Sequence, residues 1–542
     1  MIGRVFWDAP VQELLDGLEA NLDLLEQRGF VRARTKSSLS GEREYAFKHQ
    51  FTREVAYSSL PKAERGRLHA AVARRLERGE TDARAALLAH HYEQAVREDY
   101  AELAWCDNAE EIGRLRQKAL QWLQRASERA ASRYEMDAAV AMLERALELA
   151  EDDPTRYELW RGLASAHALR FDATGFVSAS EHAIALAPDD RAVAGLYAEL
   201  AFRSGTAELM WNPPLARELA DGWVERALAG TLAGSRERAK ALVARAWHEE
   251  LAEAPAREAL AIAERLNDPE LLAWALRASV LASSVAGRYD LAAAESEQLV
   301  ALIDEIADPG PKEMLLQNTA LRVAAVTGRF EEARRFSELI DGLVRELTPH
   351  HRLHGVAYAL EIEELAAGWN RIRELEARVE QAVEENRDTP CVRNARSLLV
   401  CALAESALGD DHRARRFEGL AAALGMAGHE RVLNPPRIRS ALLRGDAGEV
   451  RRLLERYGRP SLRFLFDFAG AAAWLDAGAA LDLTSSIEQE APALAQPGTC
   501  IEPFALRALG VVRQDAKLLA RADRLFSELG LGWYADQRIG PR

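Results

Sequence analysis

Residues 271–289 read LLAWALRASVLASSVAGRY, a helical run of apolar and small residues that ends in Gly287-Arg288-Tyr289. A similar Gly-Arg-aromatic sequence occurs in residues 328–344, GRFEEARRFSELIDGLV. There Gly328-Arg329-Phe330 begins an amphipathic run. A glycine ends a helix easily because it adopts positive φ. The pattern therefore predicts helix, glycine turn and helix, with the aromatic residue packed between the two helices.

The turn glycines recur at a regular spacing. Gly287, Gly328, Gly368 and Gly409 are separated by 41, 40 and 41 residues. One helix pair cannot bury its apolar face alone, so repeated pairs must stack on their neighbours. The spacing predicts an all-α solenoid of stacked helix pairs.

The best-matched unit covers residues 159–188 and resembles a tetratricopeptide repeat, with Phe171 and Phe176 where that repeat has glycine and alanine. The residues in register are Trp160, Leu163, Ala164, Ala183, Leu186 and Pro188. A weaker unit covers residues 120–154. The resemblance implies tetratricopeptide-like repeats, here with lengthened helices.

Residues 1–80 follow another pattern. Two short strands, FVRAR (30–34) and REYAFKH (43–49), flank a polar loop, and a helical pattern begins near Thr52. A preceding helix, closed by Gly29, carries its apolar residues on one face: Val11, Leu14, Leu15, Leu18, Leu22 and Leu25. Helix, hairpin and helix in this order predict a small winged-helix domain with a short β-hairpin.

The chain is expected to have four parts. We predict a winged-helix-like domain in 1–80, linking helices in 81–116, tetratricopeptide-like repeats in 117–457, and irregular C-terminal repeats with a cap in 458–542. Pro-Pro pairs in MWNPPLAREL (210–219) and VLNPPRIRS (432–440) are expected to interrupt the helices, since proline disrupts a helix interior.

Composition excludes several function classes. The 542 residues carry a formal net charge of −15, which argues against broad binding to nucleic acid or anionic membranes. No apolar run is long enough for a membrane span, and the N-terminus lacks a secretory pattern, so we expect a cytoplasmic protein. Four scattered cysteines, Cys106, Cys391, Cys401 and Cys500, predict buried, reduced thiols rather than a disulfide framework or a zinc site.

The N-terminal sequence resembles the winged-helix segment of bacterial STAND-type signalling ATPases. These ATPases are often fused to class III adenylate or guanylate cyclases. In that family a tetratricopeptide-like region follows the winged helix. The resemblance covers roughly residues 1–155, and the rest of the chain only by architecture. The matching residues are Phe6, Trp7, Gly29, Phe47, Lys48, His49, Arg53, Glu54, Ala56, Tyr57, Leu68, His69, His90, His91 and Tyr92.

The resemblance implies that His49 contacts the phosphates of a bound nucleotide. A helix N-terminus and an imidazole donor both favour a phosphate anion. The chain has Gln50 where relatives often carry an acidic residue. It contains no Gly-Lys pair and hence no P-loop, so the ATPase and cyclase domains are expected to be absent and any nucleotide must come from a partner chain. The alternative is that His49 is a partly buried anchor of the strand–helix turn.

Two groups of histidines are spaced closely enough to be considered as metal ligands. We predict a metal site at neither group. His90 and His91, with Tyr92, point about 100° apart on a helix, which predicts structural packing. His350, His351 and His354 are the better candidates, because residues 350 and 354 are one turn apart. With Pro349 before them and no HExxH motif, they predict an exposed helix start.

No catalytic motif and no cofactor site are found, so we expect a protein without enzymatic activity. The expected function is a protein-binding scaffold or regulator that holds a protein or peptide in the solenoid groove and is coupled in trans to a signalling ATPase or cyclase. One alternative is a separated C-terminal fragment of a cyclase-linked or transcription-linked ATPase. Another is a winged-helix DNA-binding regulator, with Arg65, Arg67, Arg74, Arg75 and Arg78 as candidate surface.

Overall fold

The computed structural model describes residues 5–8, 11, 22–37, 43–78, 84–206, 211–389 and 391–537. As predicted, these residues are mostly helical, with one small sheet near the N-terminus. The chain divides into two compact units, unit 1 (Met1–Pro188) and unit 2 (Asp189–Arg542). None of the helices in the described ranges is both long and apolar enough to span a membrane.

Unit 1 combines the sheet with the first helices. Its elements are β1 (Val5–Trp7), α1 (Leu22–Gln27), β2 (Val31–Ala33), β3 (Glu44–Phe47), α2 (Gln50–Ser58), α3 (Lys62–Glu77), α4 (Ala85–Val96), α5 (Glu98–Ala104), α6 (Ala109–Ala131), α7 (Met136–Leu149), α8 (Asp153–Leu169) and α9 (Ala173–Ala185).

The sheet is antiparallel in the order β1-β3-β2. Val31 pairs with Phe47, which confirms the predicted hairpin. Val5 pairs with Ala46 and adds a strand that the sequence did not predict. Of the predicted first helix, the segment 12–21 lies outside the described residues, and the winged-helix assignment of 1–80 stays a prediction.

The tetratricopeptide-like unit forms the helix pair α8–α9. Trp160 stacks on His182 with ring centroids 4.2 Å apart, and Leu163 and Ala183 are buried. Phe171 occupies the expected glycine position at φ +56°. The left-handed turn is therefore kept although the glycine is not, at a backbone strain on the order of 1 kcal/mol.

Unit 2 continues with helix pairs. Its helices are α10 (Asp190–Thr206), α11 (Arg217–Gly230), α12 (Arg236–His248), α13 (Glu253–Leu266), α14 (Pro269–Val285), α15 (Tyr289–Leu302), α16 (Pro309–Leu316), α17 (Arg322–Val326), α18 (Phe330–Val344), α19 (Pro349–Ala366), α20 (Trp369–Glu385), α21 (Val392–Ala407), α22 (Asp411–Ala422), α23 (Glu430–Leu443), α24 (Ala447–Tyr457), α25 (Leu465–Ala480), α26 (Thr484–Leu494), α27 (Glu502–Arg513), α28 (Ala516–Glu528) and α29 (Gly532–Ala535). A π-helical turn, Gln317–Leu321, joins α16 to α17.

The periodic glycines act as predicted at three of four turns. Gly287, Gly328 and Gly409 have φ between +74° and +84°. At the fourth turn Ala367 takes the left-handed conformation, and Gly368 has φ −79°. A Cβ at Gly368 would lie 2.0 Å from Oε2 of Glu363, so glycine is needed there for close packing and not for its φ.

The two Pro-Pro pairs behave differently. Pro213 and Pro214 lie between α10 and α11, as predicted. The prediction for the second pair is wrong, because Pro435 and Pro436 lie inside α23. Both prolines are buried, and a Cβ at Gly470 of α25 would lie 3.2 Å from Cγ of Pro435. Tight packing against α25 offsets the hydrogen bonds that proline cannot donate.

In the segment predicted to hold irregular C-terminal repeats and a cap, the described residues 458–537 contain the helix pairs α25–α26 and α27–α28. The first helices of the pairs in unit 2 are buried on all sides over long stretches, whereas a second helix such as α18 buries one face. The longest continuous buried stretches are residues 273–284, 315–326, 394–405, 465–479 and 499–510.

Candidate functional site

The strand–helix junction places His49 at the surface of unit 1. It follows β3 in extended conformation (φ −127°, ψ 134°) and precedes the first residue of α2, without a side-chain capping hydrogen bond. The side chain is exposed, so the prediction of a partly buried anchor is wrong. Gln50 donates to Glu54 (3.1 Å) one turn along the helix. The imidazole is accessible to a group brought by another molecule.

An apolar surface adjoins the junction. Phe51 is 76% exposed and Val55, one turn later on the same face of α2, is 49% exposed. Phe30, next to β2, is also exposed. Single exposed apolar residues are ordinary, but a phenylalanine and a valine on one helix face form a patch suited to a protein contact. We call Phe51 and Val55 the α2 patch.

Other residues that match the signalling-ATPase family have structural roles. The hydroxyl of Tyr57 lies 3.1 Å from Nε2 of His69 and 3.3 Å from the hydroxyl of Tyr100. Tyr92 donates to Glu77 (2.7 Å), which also accepts from Lys118 (2.7 Å). Most of the resemblance therefore reflects how unit 1 packs, while His49 remains exposed.

The predicted packing role of His91 is confirmed by its contacts. Nδ1 of His91 lies 2.8 Å from Nδ1 of His69, and both rings are buried. Burial, with a smaller contribution from neighbouring positive charges, lowers the pKa of His69 to about 3 and that of His91 to about 2. His90 is exposed and makes an edge contact with each ring. The pair is neutral at physiological pH, with one ring donating and the other accepting.

The basic residues proposed as a DNA surface are partly used inside unit 1. Arg65 donates to the carbonyl of Leu60 (2.9 Å) and to the hydroxyl of Tyr100 (3.1 Å). Arg67 donates to the carbonyl of Ala104 (3.2 Å), and Arg74 pairs with Glu111. These contacts reduce the cationic surface available to phosphates.

In unit 2 the inner helices, which are the first helices of each pair, are covered by later segments of the same chain. Arg322 of α17 donates to the carbonyl of Leu462 (2.8 Å). The amide of Cys500 donates to the carbonyl of Val326 (2.7 Å), and the hydroxyl of Tyr534 donates to the carbonyl of Glu364 (2.6 Å). The surface expected to form a peptide groove is thus occupied by later helices over this range.

A cavity of about 390 Å³ lies on the outside of unit 2, between α22, α23 and α24. Three arginines line it, Arg437, Arg452 and Arg456, together with Glu430 and Glu449. Arg452 pairs with Glu449 at 2.6 Å. The lining has mixed charge and does not select one class of ligand.

The histidines at the start of α19 are placed differently from expectation. His350 and His354 are buried, so the prediction of an exposed helix start is wrong. Nε2 of His354 lies 3.7 Å from Sγ of Cys391, and its Nδ1 lies 3.2 Å from Oε1 of Glu313. His351 contacts the hydroxyl of Thr348 instead (2.8 Å).

The contact between Cys391 and His354 shifts the pKa of each side chain towards its charged form. Burial raises the pKa of the Cys391 thiol, but the contact with His354 outweighs it, and the pKa lies below its usual value. Burial lowers the pKa of His354, yet the hydrogen bonds with Cys391 and Glu313 raise it overall to about 9. Sequence reasoning missed Cys391 and Glu313. The one available signal was their distance of about one repeat, 37 and 41 residues, from His354.

A comparison with known protein families finds no match. No curated protein matches the chain either. Among solved structures, a Signal Transduction ATPase with Numerous Domains (STAND) protein with a tetratricopeptide repeat sensor, from Pyrococcus horikoshii, is 14% identical, with a TM-score of 0.39. The match covers 79% of this chain and 62% of that one, so this chain spans less than two thirds of its length.

A second match is a circular tandem repeat protein with novel repeat topology and enhanced subunit contact surfaces. It is 16% identical, with a TM-score of 0.14, and the match covers 84% of this chain and 94% of that one. At TM-scores this low, neither likeness bears on the function of this chain.

Proposed function

We propose that the chain is a non-catalytic helical-repeat scaffold that docks a nucleotide-binding signalling ATPase through the α2 patch, with His49 directed at the bound nucleotide. The observation that carries the proposal is the exposure of Phe51 and Val55 beside an uncapped, accessible His49. Burying the α2 patch in an interface removes apolar surface from water and brings a phosphate to a helix N-terminus.

The ATPase is the favoured partner for two reasons. The family resemblance around Tyr45–Tyr57 is to the segment that follows an ATPase domain. In addition, α2 presents an apolar side chain to solvent for the protein contact, and His49, just before α2, presents an imidazole for the phosphates. The repeats of unit 2, whose inner helices are covered by the chain itself, would present their outer faces to a further protein.

The test is capture by the purified full chain from an extract of its source organism. Bound proteins are identified by mass spectrometry and scored for a P-loop. We expect capture of a P-loop ATPase by the native chain and by Leu103→Asp, a matched control at an exposed leucine elsewhere in unit 1 (55% exposed). Phe51→Asp should abolish capture. No P-loop protein, or equal capture by Phe51→Asp, would contradict the proposal.

The role of His49 is tested on the captured complex. His49→Ala should lower the amount of nucleotide that co-purifies with the ATPase, whereas Gln50→Ala, at the neighbouring exposed position, should not. If both variants retain the same amount of nucleotide, His49 does not contact the phosphates. That result would leave the proposed docking surface unaffected. An in-frame P-loop directly upstream in the gene would instead favour the fragment alternative, with the same surface docking an ATPase domain of its own polypeptide.

A further inference from the structure

Three buried side chains in unit 2 come together from two separate helix pairs. His350 and His354 lie one turn apart near the start of α19, and Cys391 is the residue before α21. One ligand atom from each lies within 4.8 Å of the other two. This grouping is the metal-ligand cluster found among the described residues, and it lies outside the site described for unit 1.

The distances fit a tetrahedral ion. A zinc ion with a thiolate at about 2.3 Å and an imidazole nitrogen at about 2.1 Å sets sulfur and nitrogen about 3.6 Å apart. The distance from Sγ of Cys391 to Nε2 of His354 is 3.7 Å. Each of the three ligand atoms lies within 4.8 Å of the other two, so a movement of His350 by about 1 Å brings it to the separation of roughly 3.5 Å that tetrahedral zinc ligands have.

Glu313 supplies the outer support that metal-bound histidines have in proteins. Its Oε1 is 3.2 Å from Nδ1 of His354, which leaves Nε2 directed at Cys391. Metal-ligating histidines nearly always donate their other nitrogen to a carboxylate, a carbonyl or water. The hydroxyl of Tyr358 donates to the same carboxylate oxygen and holds it in place.

The charges around the cluster also suit a divalent cation. The Cys391 thiolate and the Glu313 carboxylate together balance two positive charges. Arg393, the nearby cation, is paired with Glu361 at 3.0 Å. Two imidazoles and one thiolate are borderline-soft ligands, which favour zinc over magnesium or calcium.

We propose that His350, His354 and Cys391 bind one Zn²⁺, with Glu313 orienting His354 and a water molecule completing the tetrahedron. The ion joins α19 to α21 and, through Glu313, both to α16, so it fixes the stacking of successive helix pairs. On binding, the proton shared between Sγ of Cys391 and Nε2 of His354 passes to solvent. This inference revises the expectation that the chain holds no metal.

The experiment uses the full chain, stripped of metal by a chelator and kept reduced without oxygen. Titration with Co²⁺, as a spectroscopic substitute for zinc, should give one equivalent of binding, intense tetrahedral d–d bands and a sulfur-to-cobalt charge-transfer band. Zn²⁺ should displace the cobalt. Calorimetry of Zn²⁺ binding in two buffers of different ionisation enthalpy should report proton release.

Three variants test two roles. Cys391 is expected to be the sulfur ligand, and Glu313 is expected to orient His354. Cys391→Ser should remove the charge-transfer band, while Cys401→Ala, at a buried cysteine within α21, should keep it. Glu313→Gln should weaken zinc binding by about 10–100-fold. Circular dichroism of each variant checks the fold, and the native-chain spectrum stands even if a variant unfolds.

Three results would overturn the proposal that Cys391 and His354 share a metal ion. The first is no Zn²⁺ binding by the native chain, and the second is a cobalt spectrum without the sulfur band. The third is an unchanged cobalt spectrum in Cys391→Ser.

Discussion

Asp476 accepts hydrogen bonds from Nη2 of Arg507 at both carboxylate oxygens, at 2.8 and 2.9 Å, although Asp476 has no exposed surface. Arg439 pairs with the same carboxylate from a different helix. A single buried anion thus joins α23, α25 and α27 in the interior of unit 2. Removing one partner of a buried ion pair is costly because the remaining charges lose their compensation.

We therefore expect Asp476→Ala to destabilise unit 2 by about 3–5 kcal/mol. The measurement is urea unfolding of the full chain, with hydrogen exchange of peptides from α23 and α27 as the local readout. Glu384→Ala, which breaks an exposed pair with Arg387, should change the stability by less than about 1 kcal/mol. Equal effects of the two substitutions would show that the buried network does not hold these helices together.

A glycine in a turn and a glycine in a helix should respond to alanine with opposite changes in the stability of unit 2. Gly287 has φ +74° and open space around the position of a Cβ, so Gly287→Ala adds backbone strain alone and should destabilise unit 2 by about 1–2 kcal/mol. Gly342 lies inside α18 with similar open space. Gly342→Ala should stabilise by about 0.5–1 kcal/mol, since alanine loses less entropy in a helix. Thermal unfolding of the two variants should shift in opposite directions, and a shift in the same direction contradicts the prediction.

The cysteines differ in accessibility. Cys106 is exposed, so the prediction of a buried thiol is wrong there, whereas Cys391, Cys401 and Cys500 are buried as predicted. In the native chain we expect one thiol to react quickly with a thiol-specific reagent, and all four cysteines to react after denaturation. Cys106→Ser should abolish the fast reaction. A fast phase that survives this substitution would mean that a buried cysteine is accessible in solution.

The repeat architecture could be predicted because it follows from local rules. The glycine spacing and the aromatic residues after each turn determine helix pairs, and Tyr289 and Phe330 are buried between helices as expected. Alternation of apolar residues likewise predicted the pairing of β2 with β3. Both features depend on residues that are close in sequence.

The features that sequence reasoning missed depend on distant contacts. The hydroxyl of Tyr534 donates to the carbonyl of Glu364, 170 residues away, and this contact depends on how all the helix pairs between them stack. The same holds for Cys391, whose contact with His354 needs the register between two pairs. Pro435 is tolerated within a helix because Gly470, on a neighbouring helix, leaves room for its ring.

The histidine pair in unit 1 makes its stability depend on pH. His69 and His91 are buried and neutral, with folded-state pKa values of about 3 and about 2 against an unfolded value of about 6.5. Between those limits the unfolded chain binds more protons than the folded chain. Stability is therefore complete above about pH 6.5 and is lost as the pH falls towards 3. At pH 5 the loss is about 2 kcal/mol for each histidine.

Hydrogen exchange of peptides from α3 and α4, measured between pH 7 and pH 5 and corrected for the intrinsic pH dependence of exchange, reports this loss. We expect protection to fall with decreasing pH in the native chain and equally in His49→Gln, whose histidine is exposed. In His91→Gln the protection should be lower at pH 7, because a buried packing partner is lost, but should depend less on pH. A pH dependence that is the same in His91→Gln as in the native chain would mean that another group carries the titration.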